Sequence, residues 1–287
     1  DKINKIIDFL ISNSLISAGA EVKKLKSGTT NGLLYLLYLK TKPTYVVKID
    51  SANNIKATHE FLNCYSDSNL LPNILHTDLE EFIVYQYLPG ETHVNRGFKI
   101  DWMTILIREL FNKYKKADEA TSWGRINGIP RTTWADFNNA SLENAQHNIG
   151  DMLPLEDHKK VEFLVNKLNN YSNLDEKYYL HGDTGVHNFV YLDHQLNGVI
   201  DPSPLIGPKI YDFTYAFCSS PDNLDFDTLL KSFALWNIDN KYTEARLFDE
   251  VTFQLYTRIG ICMKVHPHDL PGYSEAWELY KKYLPTN

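Results

Sequence analysis

The first fourteen residues place Ile3, Ile6, Ile7, Leu10 and Ile11 on one face at helical spacing, with Asp, Lys and Asn opposite. That pattern predicts an amphipathic helix. The period then changes. Residues 21–50, "EVKKLKSGTTNGLLYLLYLKTKPTYVVKID", predict three β-strands separated by a "SGTTNG" turn and a "KTKPT" hairpin turn. "NNIKATHEFLNCYSD" predicts a helix starting after Asn53, and "NILHTDLEEFIVYQYL" two more strands around a "TDLEE" turn. "PGE" at 89–91 ends the β-rich part. From about residue 100 the pattern turns mostly helical, over 101–120, 155–171, 223–236, 241–265 and 273–284. A β-hairpin interrupts it, with "FVYL" and "GVID" as short strands.

These elements predict an α+β chain with a β-rich N-terminal lobe over 1–88 and a mainly helical C-terminal lobe over 89–287. A cleft between two such lobes is a natural ligand site. The longest near-continuous apolar run, "GLLYLLYL" at 32–39, is far too short to span a bilayer and reads as a strand, so no membrane partner is expected.

Composition refines the picture. The chain has 287 residues, 43% hydrophobic and 23% charged, enough to bury a proper core. Cys64, Cys218 and Cys262 are scattered and odd in number; they suggest neither a zinc site nor a disulfide framework, and favour a reducing cytoplasm. The net charge of −7 argues against a nucleic-acid partner. Its distribution is uneven: residues 1–90 carry nine Lys and nine acidic residues, while residues 91–287 carry 20 basic and 27 acidic ones.

The candidate chemistry lies in "LHGDTGVHNFVYLDHQLNGVIDPSP", residues 180–204. Asp183 and Asn188 stand five apart in a polar turn, and Asp201 ends the second of two β-like runs. Oxygen-bearing side chains grouped this way suit a divalent metal and a phosphate. The protein-kinase catalytic loop reads H-R-D-x-x-x-x-N, its Asp receiving the acceptor's proton and its Asn holding magnesium. Here "HGDTGVHN" keeps His181, Asp183 and Asn188 at that spacing, with Gly182 in place of Arg. In this the chain resembles the aminoglycoside phosphotransferase and choline kinase-like family, from roughly residue 20 to the end.

The resemblance implies a bilobal protein-kinase-like fold and transfer of the γ-phosphoryl group of ATP or GTP to a small-molecule hydroxyl. It implies Asp183 as catalytic base, and Asn188 and Asp201 as ligands of Mg2+, with "VIDPSP" standing for the kinase D-F-G. It implies His181 and Asp212 as supports of the loop, Asp212 lying in "GPKIYDFTYAF", where Pro208 replaces an expected Asp. In the N-terminal lobe it implies Lys48 on the nucleotide phosphates, oriented by Glu60. "SGTTNG", with Gly28 and Gly32, would cover the phosphates. In "YQYLPGE" the backbone of Gln86 and Leu88 would meet adenine. Read alone, Glu60 is a solvated helix face and "SGTTNG" an ordinary hairpin turn. A true protein kinase is disfavoured, since neither D-F-G nor A-P-E is present.

The acidic excess of the C-terminal lobe favours a cationic acceptor such as an aminoglycoside or amino alcohol. Asp118, Glu119, Asp136, Glu143 and the run "PDNLDFD" at 221–227 are candidate contacts. Trp123, Trp134 and Trp236 could box a quaternary ammonium, or serve as core. His187 suits a structural or substrate-contacting role, because magnesium disfavours imidazole. A neutral acceptor, such as a macrolide or sugar, and a nucleotide-binding protein without activity are the alternative readings.

Overall fold

The computed structural model describes residues 1–25, 32–236 and 242–285, and the chain divides into two compact units, Asp1–Pro89 and Gly90–Asn287. The first holds α1 (Lys2–Ser12), β1 (Glu21–Leu25), β2 (Leu33–Leu39), β3 (Lys42–Ile49), α2 (Ala52–Cys64), β4 (Ile74–Thr77) and β5 (Phe82–Gln86). The strands form one antiparallel sheet in the order β1-β2-β3-β5-β4. Strand side chains alternate between faces. Leu37, Val47 and Val84 pack with Ile3, Ile6, Ile7 and Leu10 of α1, whereas Leu36, Val46, Ile83 and Tyr85 pack with Ile55 of α2. The sheet is thus covered on both faces, and Ser51 starts α2 as its N-cap by accepting from the Asn54 N–H at 3.4 Å.

The second unit contains β6 (Glu91–Thr92), α3 (Lys99–Glu109), β7 (Gly124–Arg125), α4 (Trp134–Ile149), α5 (Leu155–Ser172), β8 (Tyr178–Leu180), β9 (Phe189–Leu192), β10 (Gln195–Val199), β11 (Leu205–Gly207), α6 (Ile210–Phe217), α7 (Phe226–Ala234), α8 (Glu244–Val265) and α9 (Leu270–Tyr280). Two small three-stranded sheets form, β10-β9-β6, whose β9 and β10 lie within the segment 181–204, and β7-β11-β8, whose β8 and β11 lie at its two ends. The helices pack mainly through α4, α5, α8 and α9. Among the described residues no helix is long and apolar enough to cross a membrane.

Two helices go beyond the sequence pattern, and one falls short of it. α4, "WADFNNASLENAQHNI", is rich in Asn and buries only Trp134, Asn138, Ala145 and Ile149, so its apolar periodicity is weak. Its start is nevertheless encoded, because Thr133 and Asp136 form a reciprocal capping box. α6 is eight residues long, barely two turns, too short for a helical period to stand out, and is buried on most sides. The helix expected over 101–120 stops at Glu109 and is followed by a 3-10 turn at Phe111–Lys113.

Candidate active site

The loop between β8 and β9 is built by backbone groups that find their partners locally. The Ser203 N–H donates to the His181 carbonyl at 2.9 Å, and the Ile200 N–H to the Asn188 carbonyl at 2.9 Å. These two bonds bracket Asp201 and hold it beside the loop. Gly182 adopts φ +85°, and a Cβ there would lie 1.9 Å from the Ser203 carbonyl oxygen. Only glycine fits, which explains the departure from H-R-D. A guanidinium is still present at this point: Arg125 donates from Nη1 to the Gly182 and Ser203 carbonyls at 2.8 and 3.1 Å.

His181 is fully buried, and its ring is fixed as one neutral tautomer. Nδ1 accepts from the Asp183 N–H at 3.2 Å, so the proton sits on Nε2 and goes to the Ile200 carbonyl at 3.0 Å. Burial, opposed by the Asp183 charge, pushes its pKa down to about 4. Asp212, from α6, braces the loop from below. Its carboxylate accepts from the His181 and Gly182 N–H groups at 3.0 and 3.3 Å and from the Tyr114 hydroxyl. The Thr184 hydroxyl closes the set by donating to the Asp212 carbonyl at 2.8 Å. Burial lifts Asp212 to about 6 against the pull of these donors, leaving it ionised at neutral pH.

Asp183 is held by three side chains. Tyr215 donates its hydroxyl to Oδ1 at 2.7 Å, and Asn188 donates Nδ2 to Oδ2 at 2.9 Å. His187 Nε2 lies 3.0 Å from both oxygens and carries the proton, because an ionised carboxylate can only accept. Burial raises the Asp183 pKa, but His187 and Tyr215 outweigh it and hold the group well below the ordinary carboxylate range. An ionised carboxylate offers about four lone-pair sites, so these donors leave about one for an acceptor hydroxyl. Behind His187 runs a row of imidazoles: His93 is 6.2 Å from it, ring centre to ring centre, and His266 is 6.0 Å from His93. Burial and then the neighbouring imidazoles lower the pKa of His93.

Asn188 spends both of its amide hydrogens on Asp183, the second on the Asp183 carbonyl at 3.0 Å. Its Oδ1 accepts nothing among the described residues. Asp201 sits at φ +57°, the left-handed region that costs a residue with a Cβ. A carboxamide oxygen and a carboxylate are hard donors, few in number, and of the kind magnesium takes while keeping waters and phosphate oxygens. Among the described residues no three His, Cys, Asp or Glu side chains are grouped to hold a metal.

In the N-terminal unit Lys48 is buried on β3, 6% exposed, and lies 3.8 Å from Asp50 Oδ2. Glu60, expected to orient it, is instead exposed on α2, whose buried face is Ile55, Ala57, Thr58, Phe61 and Leu62. Gly32 abuts Asp50; a Cβ would lie 3.0 Å from Oδ2. Gly28 lies outside the described residues. The Gln86 N–H is already given to the Asn73 carbonyl at 2.8 Å, and that of Tyr87 to Thr44 at 2.9 Å. The Leu88 N–H has no acceptor among the described residues.

The acids expected to hold a cation are mostly engaged in local structure. Asp118 and Asp225 cap backbone turns, Asp136 closes the α4 box, Asp222 binds Arg96 at 2.7 Å, and Asp227 pairs with Lys231. Glu143 is exposed on α4. Trp236 is core, stacked on Phe213 at 4.8 Å. Trp134 faces a cavity of about 640 Å³ whose wall also includes Tyr215 and Arg125, one side chain removed from Asp183.

No protein-family model matches the chain, and no curated protein is significantly similar to it in sequence. Solved structures match it in fold. The chain is similar to a thermostable mutant of aminoglycoside phosphotransferase APH(4)-Ia in ternary complex with ADP and hygromycin B, at TM-score 0.61 and 14% identity over 98% of this chain and 99% of that one. It is similar to the GDP complex of aminoglycoside 2'-phosphotransferase-IIIa, at TM-score 0.58 and 13% identity over 97% of both chains. A fructosamine-3-kinase described as putative, from Thermobifida fusca, matches at TM-score 0.56 and 16% identity over 90% of this chain and 93% of that one. The chain therefore has the protein-kinase-like α+β fold of the aminoglycoside phosphotransferases, with a β-rich N-terminal and a mainly helical C-terminal unit.

Proposed function

We propose that the chain is a small-molecule kinase that moves the γ-phosphoryl group of ATP or GTP to an alcohol hydroxyl. The observation that carries this is the state of Asp183: an ionised carboxylate pinned by Tyr215, His187 and Asn188, with about one acceptor site left. Such a group fixes a hydroxyl in line and takes its proton late, and phosphoryl transfer asks little more of a protein than that positioning and charge neutralisation. Asn188 Oδ1 and the Asp201 carboxylate would hold magnesium, which when bound neutralises the phosphate oxygens. Lys48 serves the nucleotide phosphates, with Asp50 rather than Glu60 as its carboxylate neighbour. The unused Leu88 N–H suits an adenine or guanine edge. The fold neighbours bound to ADP, GDP and hygromycin B support a nucleotide and a small acceptor.

The test is release of ADP or GDP with magnesium, over a panel of cationic, neutral and anionic alcohols. Turnover that requires an alcohol and disappears in Asp183→Asn supports the reading. Nucleotide binding with no turnover across the panel would leave a nucleotide-binding protein and sink it.

A further inference from the structure

The cavity beside Asp183 has a wall opposite in sign to the unit that contains it. Residues 91–287 carry 27 acidic against 20 basic side chains. Yet Arg125, Arg131 and Lys264 line the cavity, and Glu250 is the one carboxylate among its lining residues. Glu250 is paired with Arg246 at 3.4 Å, and burial pushes its pKa up to about 7, so it offers little negative charge to a ligand. Arg125 spends its guanidinium on backbone carbonyls and Ser203, none of them charged. Arg131 and Lys264 have no ion-pair partner among the described residues. Behind Tyr215 stands Arg258, buried, with its guanidinium carbon 5.0 Å from the Tyr215 ring centre and no carboxylate bonded to it among the described residues.

Arg125 and Arg258 feel the Asp183 charge, whereas Arg131 and Lys264 have no carboxylate partner among the described residues, so these two raise the local positive potential of the wall. A bound anion offsets that potential. Part of the lining is aromatic, with Trp134 and Phe137 stacked 4.4 Å apart, and gives an apolar face to the body of a ligand. A volume of about 640 Å³ lies in the usual range for small-molecule sites, about 300–1,000 Å³.

We propose that the acceptor is a hydroxyl compound bearing an anionic group, carboxylate or phosphate, held by Arg131 and Lys264 with its hydroxyl directed past Tyr215 to Asp183. The word acceptor rests on the phosphotransferase reading; the anion site rests on the wall alone.

Calorimetry on the full chain tests it with four probes of similar hydroxyl content: D-gluconate, 6-phosphogluconate, sorbitol and kanamycin. At least one anion should bind about tenfold or more tightly than sorbitol, and its Kd should rise with salt. A preference for gluconate assigns carboxylate, and one for 6-phosphogluconate assigns phosphate. Arg131→Gln and the exposed Lys264→Glu should each weaken the preferred anion about tenfold while keeping the wild-type melting temperature. Absence of heat from both anions, equal binding of sorbitol, tighter binding of kanamycin, or unchanged anion affinity in both variants overturns the proposal. Adding magnesium and ATP or GTP separates the two readings. Anion binding with no turnover across the wider alcohol panel keeps the site and sinks phosphoryl transfer, whereas phosphorylation of kanamycin without anion binding does the reverse.

Discussion

The hydroxyl of Tyr215 donates to Oδ1 of Asp183 at 2.7 Å, joining α6 to the β8–β9 loop through a residue 32 positions away in sequence. Removing this donor in Tyr215→Phe takes away one of the influences that hold the Asp183 pKa down. The carboxylate should then protonate at higher pH, so the acid limb of kcat shifts upward. A hydrogen bond to a charged group is worth about 1.5–3 kcal/mol, so kcat should drop by about tenfold or more. A pH profile superimposable on wild type would remove Tyr215 from the site.

How much of this was legible in the sequence depends on whether the parts are contiguous. His181, Asp183 and Asn188 share one eight-residue motif, and the structure joins them through direct hydrogen bonds. Tyr215, Arg125 and Tyr114 reach the same loop from other elements, as residue types with no motif of their own. Only the packing of α6 and β7 against the loop discloses them. Glu60 rests on family order alone: its helical register turns it to solvent, and no contact between it and Lys48 appears among the described residues. Asp50 carried a local signal, since residues two apart in an extended chain share a face and it follows Lys48 by two. α4 stayed hidden because its apolar stripe is thin, although Thr133 and Asp136 announce its start.

Asp183→Asn should lower kcat by about two orders of magnitude or more, the range of a lost general base. The replacement amide oxygen can still accept from Tyr215 and His187, and only the bond from Asn188 Nδ2 is lost, so the loop should fold and nucleotide Kd should stay near wild type. Near-normal turnover at saturating acceptor would move the base elsewhere.

Gly182→Ala should damage the loop through backbone geometry alone. Its Cβ would lie 1.9 Å from the Ser203 carbonyl oxygen, at φ +85°. Left-handed φ by itself costs about 1–2 kcal/mol, and the clash adds to it. The melting temperature should fall and activity with it. Gly182→Arg, which restores the protein-kinase spelling, should do worse, because its Cβ meets the same carbonyl and Arg125 occupies the adjoining space. Thermal melts of both variants check this, and unchanged melting would contradict the fit.

Lys99 gives the stability a pH dependence. It is fully buried, donates to the Phe217 and Ser220 carbonyls at 2.8 and 3.0 Å, and burial pushes its pKa down to about 7. In the unfolded chain a lysine titrates near 10.4. Between these values the unfolded state carries more protons, so stability rises with pH and is lost as pH falls back through the window. The slope is at most about 1.4 kcal/mol per pH unit above neutrality. It is read best below about pH 9, the ordinary thiol range, because Cys218, held protonated up to about 12, acts in the opposite direction beyond it. Denaturant unfolding at pH 7, 8 and 9 should show the rise in wild type and a flatter course in Lys99→Met.

Asp201 allows function and stability to be separated at one position. Its φ of +57° is costly for a residue with a Cβ and free for glycine. Asp201→Gly and Asp201→Ala both remove the carboxylate proposed to hold magnesium, so both should lose the magnesium-dependent part of nucleotide affinity. Their stabilities should diverge. Alanine keeps the left-handed penalty without the polar side chain that lets aspartate tolerate it, whereas glycine has no such penalty. Asp201→Gly should therefore be more stable than Asp201→Ala by about 1 kcal/mol, even though glycine has the greater freedom to lose on folding. Calorimetric titration of nucleotide with and without magnesium, beside denaturant melts, measures both effects on the same proteins. Equal stability would mean the backbone relaxes out of the left-handed region once the carboxylate is gone. Retained magnesium dependence in both variants would show that the metal is held without Asp201.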